Sequence, residues 1–512
     1  MRNSVFVLFL GILVSLTSCR KDFDTTPSNG NLAFSKTTVY LDTVFSNISS
    51  STYMLKVYNQ SNKDINIPSI KLAKPDSKYR LMVDGMTGEG GNGRYFPNVE
   101  LLAKDSLFIF IETTVNIADA NPTDFLYTDE IEFASTSGVQ KVNLVTLIQD
   151  AVFLYPAKDD QGVKEKLLLG LDENGDEVYV NGFELDSADP IHGDEFHFTK
   201  DKPYVIYGFA GIPAGKELVI DPGARVHFHA QSGIVVKPGG SIKVGEGWTP
   251  PTDPDLNPLE NEVVFEGDRL EPGFAETPGQ WFAVWMLDGS AANLNHLVLK
   301  NATVGMLIEK ATATITNSQF YNCANVGILG REATMVTGSN LVVNYAGQAC
   351  VASISGGNYD FRHCTFNNNW GSPDQVAVSM SNYEEDANGN KTSFPLTSLF
   401  KNSIIYGSNN IEVYLNNIET SEVLVNTFDH CLIKFKDVGT VLANDPKYNL
   451  IRQQIRNQDP KFQFFNLNPL LILEGSPAIG TGVYDPTVPK DILDRDRPNP
   501  NPDIGAYQYI SD

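Results

Sequence analysis

The chain is short of positive charge and of the motifs that identify common enzyme classes. Against 62 acidic residues it has only 38 lysines and arginines, which gives a formal net charge of −24. A chain this acidic is a poor ligand for nucleic acid or for an anionic membrane surface. No nucleophile elbow, P-loop, dinucleotide fingerprint or HExxH motif stands in a context that would support one. We therefore expect no nucleic-acid partner and no cofactor.

Cysteine is scarce as well. Only five cysteines occur in 512 residues, and none forms a CxxC pair. Four of them fall between residues 323 and 431 at unequal spacings: Cys323, Cys350, Cys364 and Cys431. This distribution indicates neither a zinc finger nor a disulfide framework. We expect these four to be buried as small apolar side chains.

The sequence does contain a repeat. An apolar residue, a polar pair, a small residue and a second apolar residue two positions later recur six times, starting at Leu294, Ile315, Val336, Phe361, Phe400 and Phe428. The intervals between these starts, 21, 21, 25, 39 and 28 residues, are those of a solenoid. Coils of this length cannot bury their apolar side chains alone, so they must stack on one another.

The parity of the repeat predicts a corner. Its fourth and sixth positions share one strand face, whereas its first position has the wrong parity for that strand. The chain must therefore turn near the second and third positions, where polar and glycine residues suit a bend. A leucine-rich repeat has a similar period, but its regularly spaced leucines are not found. The pattern predicts an all-β fold with a parallel β-helix, and no apolar stripe of helical length interrupts it.

The rest of the chain divides into further segments. Residues 35–150 show alternating apolar runs between Asn-, Gly- and Pro-rich turns, which predicts an immunoglobulin-like β-sandwich. We expect residues 19–34 to form a flexible tether and residues 151–200 to connect the two domains through a β-hairpin. The β-helix is expected over residues 201–470, with residues 471–512 as its terminal segment.

The first 18 residues predict secretion. Arg2 precedes the apolar run Val5–Val14, which is too short to span a membrane and fits the core of a signal peptide. The following Leu16–Cys19 resembles a bacterial lipobox, which implies that Cys19 becomes the lipidated first residue of the mature chain. An unlipidated secretory signal is the alternative. Lipid on Cys19 would anchor the protein to a membrane.

Residues 200–512 resemble the right-handed parallel β-helix lipoproteins of Bacteroidota, whose fold is pectate-lyase-like. The resemblance rests on these segments: Leu218–Phe228, Val235–Gly240, Phe265–Arg269, Pro278–Trp281, Gly356–Phe366, Ser476–Gly480, Asp494–Pro498 and Asp503–Tyr507. The stretch Cys19–Asp24 is similar to the acidic tags that direct such proteins to the cell exterior. The resemblance implies an outer-membrane location facing outwards. It implies little about activity, because the fold also hosts polysaccharide lyases.

One charged cluster has residue types that a lyase could use. Aligning Val304 with Val326 places Glu309 over Arg331 and Lys310 over Glu332 on consecutive coils. A lyase needs a base and a cation that neutralises the uronate carboxylate. Opposite charges on adjacent strands are equally typical of a surface ladder, so both interpretations stay open.

Aromatic residues near coil ends are the candidate glycan-binding residues. Trp281 and Trp285 are spaced at period two, which predicts one shared strand face, and Trp370 and Tyr383 lie further along the chain. Tyr406 and Tyr414 are further aromatics near coil ends. Exposed rings would stack on the apolar faces of sugars, whereas buried rings would fill the core. Residues 381–394 form a polar insertion between coils, where solenoids commonly carry binding loops.

Metal binding is not expected. His296, His363 and His430 occupy one corner column but never adjacent coils, and stacked strands lie about 4.8 Å apart. His192 and His197 lie elsewhere, and His227 and His229 share one strand face but lack a third ligand at a useful spacing. Calcium is left open only at Asp172–Glu177, where Asn-Gly between apolar runs is better explained by a hairpin turn.

The sequence thus favours a lipid-anchored surface protein with a non-catalytic role, either glycan binding or a structural interaction. A polysaccharide lyase or hydrolase is the alternative, and adhesion to an outer-membrane protein partner is a third. A polysaccharide is the expected ligand in the first two cases. The acidic charge disfavours bare polyanions unless divalent cations bridge the two.

Overall fold

A computed structural model describes residues 24–172, 174–255, 257–419, 421–464 and 468–510. The signal peptide predicted for residues 1–18 and the lipidation predicted at Cys19 lie outside these residues. The chain divides between Asp150 and Ala151 into two compact units. Among the described residues, no helix has the length and apolar character needed to span a bilayer.

The first unit contains two β-sheets. The larger one is formed by Thr26–Pro27, Ile65–Leu72, Leu126–Ser135, Gly138–Gln149 and Thr38–Phe45 in that order, with Tyr95–Leu101 paired to Ile65–Leu72. The smaller one is formed by Leu32–Phe34, Tyr53–Asn59, Ser106–Thr113 and Tyr79–Val83. Short 3-10 turns occur at Glu89–Gly91 and Ile117–Asp119. Buried residues of both sheets, among them Val39, Leu55 and Ile109, form one core, because alternate side chains of each strand point to the same face.

Residues 26–34, which the sequence predicts to belong to a flexible tether, contain two β-strands. Leu32–Phe34 pairs antiparallel with Tyr53–Asn59, and Thr26–Pro27 pairs parallel with Ile65–Leu72. Leu32 is only 7% exposed and belongs to the core. Residues 26–34 are therefore part of the first unit rather than a flexible spacer, because their backbone groups are satisfied by ladder hydrogen bonds.

The second unit is built from coils with three faces. The strands of the first face are Glu177–Glu184, Phe209–Ile212, Gly233–Val236, Ala283–Met286, Val304–Glu309, Val326–Ser339, Ala349–Arg362, Val376–Ser381 and Val413–Asn416. Two of these, Val326–Ser339 and Ala349–Arg362, continue around the corner into the second face. The other strands of the second face are His197–Phe198, Glu217–Ile220, Ser241–Val244, Ala291–Asn295, Thr312–Thr316, Leu396–Lys401 and Leu424–Asp429.

The third face is a separate eleven-stranded parallel sheet. Its strands are Val152–Leu154, Tyr204–Ile206, Arg225–Phe228, Val263–Gly267, Leu297–Lys300, Gln319–Cys323, Val342–Ala346, Thr365–Asn368, Ile404–Gly407, Leu432–Ile433 and Ile455–Arg456. The remaining elements are the strands Lys166–Leu171, Tyr383–Glu385 and Lys391–Ser393, the 3-10 turns Pro272–Phe274 and Pro446–Tyr448, and the helix Asn449–Arg452. Stacked parallel coils of this kind confirm the predicted all-β, β-helix-like architecture.

The coils begin earlier in the chain than the sequence predicts. Residues 151–200 were expected to connect two domains, yet Val152–Leu154 opens the third face and Glu177–Glu184 opens the first. The predicted hairpin is present, since Lys166–Leu171 pairs antiparallel with Glu177–Glu184. Leu167 is 1% exposed and packs on Phe209 and Val235 of the first face. This burial is why the segment joins the coils.

The corner between the second and third faces lies at one residue per coil. That residue has a positive φ of 47° to 52° in six coils: His296, Asn317, Asn340, His363, Asn402 and His430. Asparagine and histidine tolerate this left-handed conformation better than bulky or β-branched residues do. The Asn340 amide donates to Asn317 (2.8 Å), and Asn402 lies 2.9 Å from the His363 Nε2. The corner predicted from parity is therefore present, and its side chains bond between coils.

The register of one repeat differs from the sequence alignment. Ile315 pairs with Gly338, not with Val336, and Gly338 pairs with Phe361. The third coil thus turns at Asn340, two residues later than the pattern predicts. A Cβ atom on Gly338 would lie 2.5 Å from Cδ1 of Phe361. The Phe361 ring therefore occupies the space that an apolar side chain fills in the other coils.

The core within the coils is continuous. It runs from Leu154 to Ile451 and includes the stacked rings of Phe361, Phe400 and Phe428, whose centroids are 5.4 and 5.2 Å apart. The C-terminal segment, residues 468–510, packs on the outside of the third face, where Ala506 belongs to one hydrophobic cluster with Val342 and Ile504 to another with Ile404. Residues 471–510 of the predicted terminal segment therefore cover a sheet of the coils.

Candidate functional site

The charged cluster predicted from the coil alignment is assembled as expected. Glu309 pairs in register with Arg331, and their charged atoms lie 3.4 Å apart. Lys310 and Glu332 lie 3.3 Å apart at the corner that follows. The Trp285 indole also donates to Glu309 (2.7 Å). Each charge therefore has a partner, and the four side chains are 26% to 52% exposed, which is the arrangement of a surface ladder.

The two tryptophans do not share a strand face, contrary to the prediction. Trp281 is 1% exposed, stacks on Phe228 at 4.2 Å and donates its indole hydrogen to the Lys300 carbonyl. Trp285 lies on the outside of the first face and contacts Phe209. The strand begins only at Ala283, so Trp281 precedes it and the alternation of strand faces does not apply to it. Trp281 is a core residue and cannot bind a glycan.

A row of outward side chains runs across the first face, one residue per coil. The register pairs Trp285 with Leu307, Leu307 with Leu329, Leu329 with Ala352, Ala352 with Ser379 and Ser379 with Tyr414. The row changes from bulky apolar residues to small ones and ends on an aromatic ring. The small residues Ala352 and Ser379 leave a depression between Leu329 and Tyr414.

This depression is the floor of a groove of about 1000 Å³, which we call the insertion groove. It is lined by Val326, Leu329, Gln348, Ala349, Ala352, Ser353, Ile354, Asp374, Val376, Ser379, Ser381, Tyr383, Glu384, Glu385, Tyr414 and Asn416. The floor is apolar, with Ala349 2% and Ala352 8% exposed. Polar groups stand along its edge. An apolar floor with a few convergent polar groups is the usual composition of a ligand site.

One wall of the groove is the hairpin within the predicted insertion. Tyr383–Glu385 pairs with Lys391–Ser393, and Asp386 closes the turn by accepting backbone hydrogen bonds from Asn388 and Asn390. The base of the hairpin is held by the fully buried Asn382, which donates to the Ile418 carbonyl (3.0 Å) and accepts from the Ile418 amide (2.8 Å). The wall is therefore tied to the last coils.

Two contacts hold the Tyr383 side chain in place. Its hydroxyl donates to Asn416 (3.1 Å), and the Lys391 ammonium lies 4.4 Å from the ring centre. The hydrogen bond to Tyr383 raises the pKa of Lys391, so this cation stays charged. Tyr414 is 44% exposed and has no comparable tie among the described contacts. The groove thus presents one anchored tyrosine and one accessible tyrosine.

Of the four aromatic residues proposed for glycan binding, only Tyr383 lines this groove. Trp285 belongs to the same outward row but lies two coils before Leu329, the first groove residue of that row. Trp370 is half-buried in the loop before Val376. Tyr414, which also lines the groove, is one of the aromatics that the sequence places near coil ends, but it is not among these four candidates. The alternation of Val413, Tyr414 and Leu415, with the two apolar neighbours buried, is the signal that would have placed it outside.

Several residues that the sequence offers as metal ligands are instead explained by hydrogen bonds or by burial. In the predicted calcium loop, the Asp172 carboxylate accepts the backbone hydrogens of Asn174 and Asp176, as a hairpin turn requires. His363 is buried, and this burial lowers its pKa to about 2. The four cysteines between residues 323 and 431 are unpaired and buried. Each of these groups is explained by its turn or by the core.

Comparison with known proteins does not assign a family. No family model and no curated protein matches the chain. Among solved structures, the chain is similar to the catalytic domain of a GH87 alpha-1,3-glucanase, at 9% identity and a TM-score of 0.23, covering 75% of this chain and 82% of that one. It is also similar to the periplasmic alginate epimerase AlgG, at 9% identity and a TM-score of 0.15, covering 49% and 83%. The periplasmic chaperone SfaE matches 23% of this chain at 16% identity and a TM-score of 0.16, and the chain spans 58% of that chaperone.

Proposed function

We propose that this protein binds a neutral glycan chain in the insertion groove without chemically changing it. The observation that supports this most directly is the exposed Tyr414 ring at the end of an apolar floor. A sugar ring offers apolar C–H faces and hydroxyl edges, so it needs a flat ring beneath and hydrogen-bonding groups beside it. Ser379 on the floor, together with Ser381 and Asn416 beside it, supplies the hydrogen-bonding groups.

The charges of the groove favour an uncharged ligand. Three carboxylates line it, those of Asp374, Glu384 and Glu385. A cation, the Lys391 ammonium, lies 3.6 Å from Glu385. An anionic polysaccharide would meet like charges here, in a chain whose net charge is already −24. Hydroxyl groups of a neutral sugar can instead donate to these carboxylates.

Retention on immobilised neutral polysaccharides tests this proposal. Tyr414→Ala should weaken binding roughly 2- to 12-fold, the equivalent of about 0.5–1.5 kcal/mol for one aromatic contact. Tyr155→Ala is the matched control, because Tyr155 is 55% exposed and does not line the groove. The proposal is refuted if no glycan in a broad neutral panel is retained, or if the two variants bind equally well.

We also propose a finer fold assignment and a cellular location for this protein. We infer a right-handed parallel β-helix with an immunoglobulin-like first unit, anchored through lipid on Cys19 to the outer face of an outer membrane. The lipobox-like Leu16–Cys19 supports the lipid anchor, and the tag-like residues after it support the outward-facing location. Cys19→Ser should move the protein from the membrane fraction to the soluble one, and protease added to intact cells should digest the parent protein. Persistence of the variant in membranes would contradict the anchor.

A polysaccharide lyase is the second candidate, because Arg331 lies two residues beyond the groove residue Leu329 on the same strand. A lyase would release unsaturated, ultraviolet-absorbing products from uronic-acid polymers. Lys310→Ala and Arg331→Ala should then abolish product formation. Absence of such products from the parent protein excludes this candidate and leaves the binding proposal intact.

A further inference from the structure

The first coil of the second unit brings together three side chains that the sequence did not associate. They lie in the loop between Glu177–Glu184 and His197–Phe198, and they are Asp189, His192 and Glu195. One ligand-type atom from each lies within 4.8 Å of the other two. His192 Nδ1 is 3.0 Å from the Glu195 Oε1 and 3.2 Å from the Asp189 Oδ1. Two carboxylates therefore converge on a single ring nitrogen.

The loop holds these groups in place through its backbone. Asp189 and Gly193 exchange two backbone hydrogen bonds, of 2.8 and 2.9 Å. The other oxygen of Glu195 accepts the Asp186 amide hydrogen (3.0 Å), and Asp189 accepts the amide hydrogens of Ile191 and His192. These bonds lower the pKa of Asp189, which keeps it anionic. Glu195 is only 7% exposed, so the cluster is not a chance surface encounter of mobile side chains.

The two carboxylates of the cluster share one nitrogen of His192. A ring nitrogen carries at most one hydrogen, so His192 Nδ1 can donate fully to only one of the two carboxylates. Among the described ion pairs, neither Asp189 nor Glu195 contacts a lysine or an arginine. Lys216 contacts this loop at Ser187 and at the Phe196 ring rather than at the two carboxylates. A cation placed between the three atoms would supply the missing charge.

Other histidines of the chain show what an ordinary contact looks like. The exposed His197, His229 and His430 each face one carboxylate, at 3.0, 2.8 and 2.7 Å. His192 differs because it faces two, one of them nearly buried. Ligand atoms about 2.1 Å from a tetrahedral zinc ion lie roughly 3.4 Å apart. The separations at His192 are close to that value.

We propose that Asp189, His192 and Glu195 form a site for one divalent transition-metal ion of the zinc type, with water completing the coordination. The imidazole nitrogen selects such an ion over calcium or magnesium, which prefer oxygen ligands alone. The ion clamps the loop that joins the first and second faces of the first complete coil. This inference does not depend on glycan binding, because the insertion groove is formed by later coils.

Titration of the metal-stripped, untagged full chain tests the site. With Zn²⁺ we expect one ion bound per chain and a higher midpoint of thermal unfolding, since a ligand that binds the folded state stabilises it. With Co²⁺ we expect visible absorption bands of a bound, low-coordinate ion. His192→Ala should weaken Zn²⁺ binding by at least about tenfold, the smallest loss typical of removing even an outer partner of a metal site.

Two further variants make the outcome decisive. Glu195→Gln keeps the size of the side chain and an oxygen that can accept the Asp186 hydrogen, but it removes the negative charge, so it should also weaken Zn²⁺ binding. His430→Ala is the matched control, because His430 faces only Asp429, and it should bind like the parent chain. The proposal is overturned if the parent chain binds no Zn²⁺, or if His192→Ala and Glu195→Gln bind it as tightly as His430→Ala does.

Discussion

Glu412 should make the stability of the coils depend on pH. It is fully buried, and one of its oxygens, Oε2, has no hydrogen-bond partner. Its other oxygen accepts the Asn409 amide hydrogen (2.7 Å). Burial raises the pKa of this carboxyl from 4.5 to about 8, against the opposing effects of Asn409 and Lys434. The folded chain therefore holds the Glu412 proton more tightly than the unfolded chain does.

The sign and size of the effect follow from proton linkage. Between pH 4.5 and pH 8 the folded state binds a proton that the unfolded state has lost, so the free energy of unfolding decreases as pH rises. A change in pKa from 4.5 to about 8 corresponds to roughly 5 kcal/mol at 1.36 kcal/mol per pH unit. About 3 kcal/mol of that is lost by pH 7, and the loss levels off above pH 8. Glu412→Gln cannot ionise and should remove this slope.

Tryptophan fluorescence during urea unfolding is a selective assay. All four tryptophans, at positions 248, 281, 285 and 370, lie in the second unit, so the signal excludes the first. We expect Glu412→Gln to gain about 2.5 kcal/mol over the parent chain on going from pH 5 to pH 7, because part of the loss has already occurred by pH 5. The exposed Glu419 supplies the control Glu419→Gln, which should follow the parent curve. Parallel pH profiles for Glu412→Gln and the parent would refute the reasoning.

Two further predictions test the core. Gly338→Ala should destabilise the second unit by about 1–3 kcal/mol in the same unfolding assay, because its Cβ would meet the Phe361 ring; Gly273→Ala, with open space around it, should change little. Burial raises the pKa of Cys323, Cys364 and Cys431 to about 12, so a thiol reagent should leave them unmodified in a folded Cys19→Ser chain and label them after unfolding. Rapid labelling of the folded chain would contradict their burial.

The architecture of the second unit was predictable because it is a local pattern repeated many times. Each coil must place alternate side chains inside and turn at a residue that tolerates an unusual backbone, and both requirements are visible in the letters of the repeat. The pairing of Glu309 with Arg331 followed from the same register. Because every coil follows the same pattern of alternation and turn, residues that align in the repeat lie next to each other on adjacent coils.

The register of the third repeat, which the pattern starts at Val336, was predicted wrongly. A glycine in the apolar column gives no apolar signal, so the pattern shifts to Val336, which is also buried. The true register depends on the size of Phe361, contributed by the next coil. Trp281 shows the same limit, since the start of its strand decides which way the ring points.

The amino-acid order alone determined that this chain stacks β-coils, where most coils turn, and that its charges disfavour polyanions, because these properties depend on periodicity and composition. Only the tertiary structure decided that Tyr414 ends the floor of a groove and that Asp189 and Glu195 both face His192. Both arrangements depend on side chains that meet through distances no periodic rule encodes: a row across four coils in one case, and a folded loop in the other.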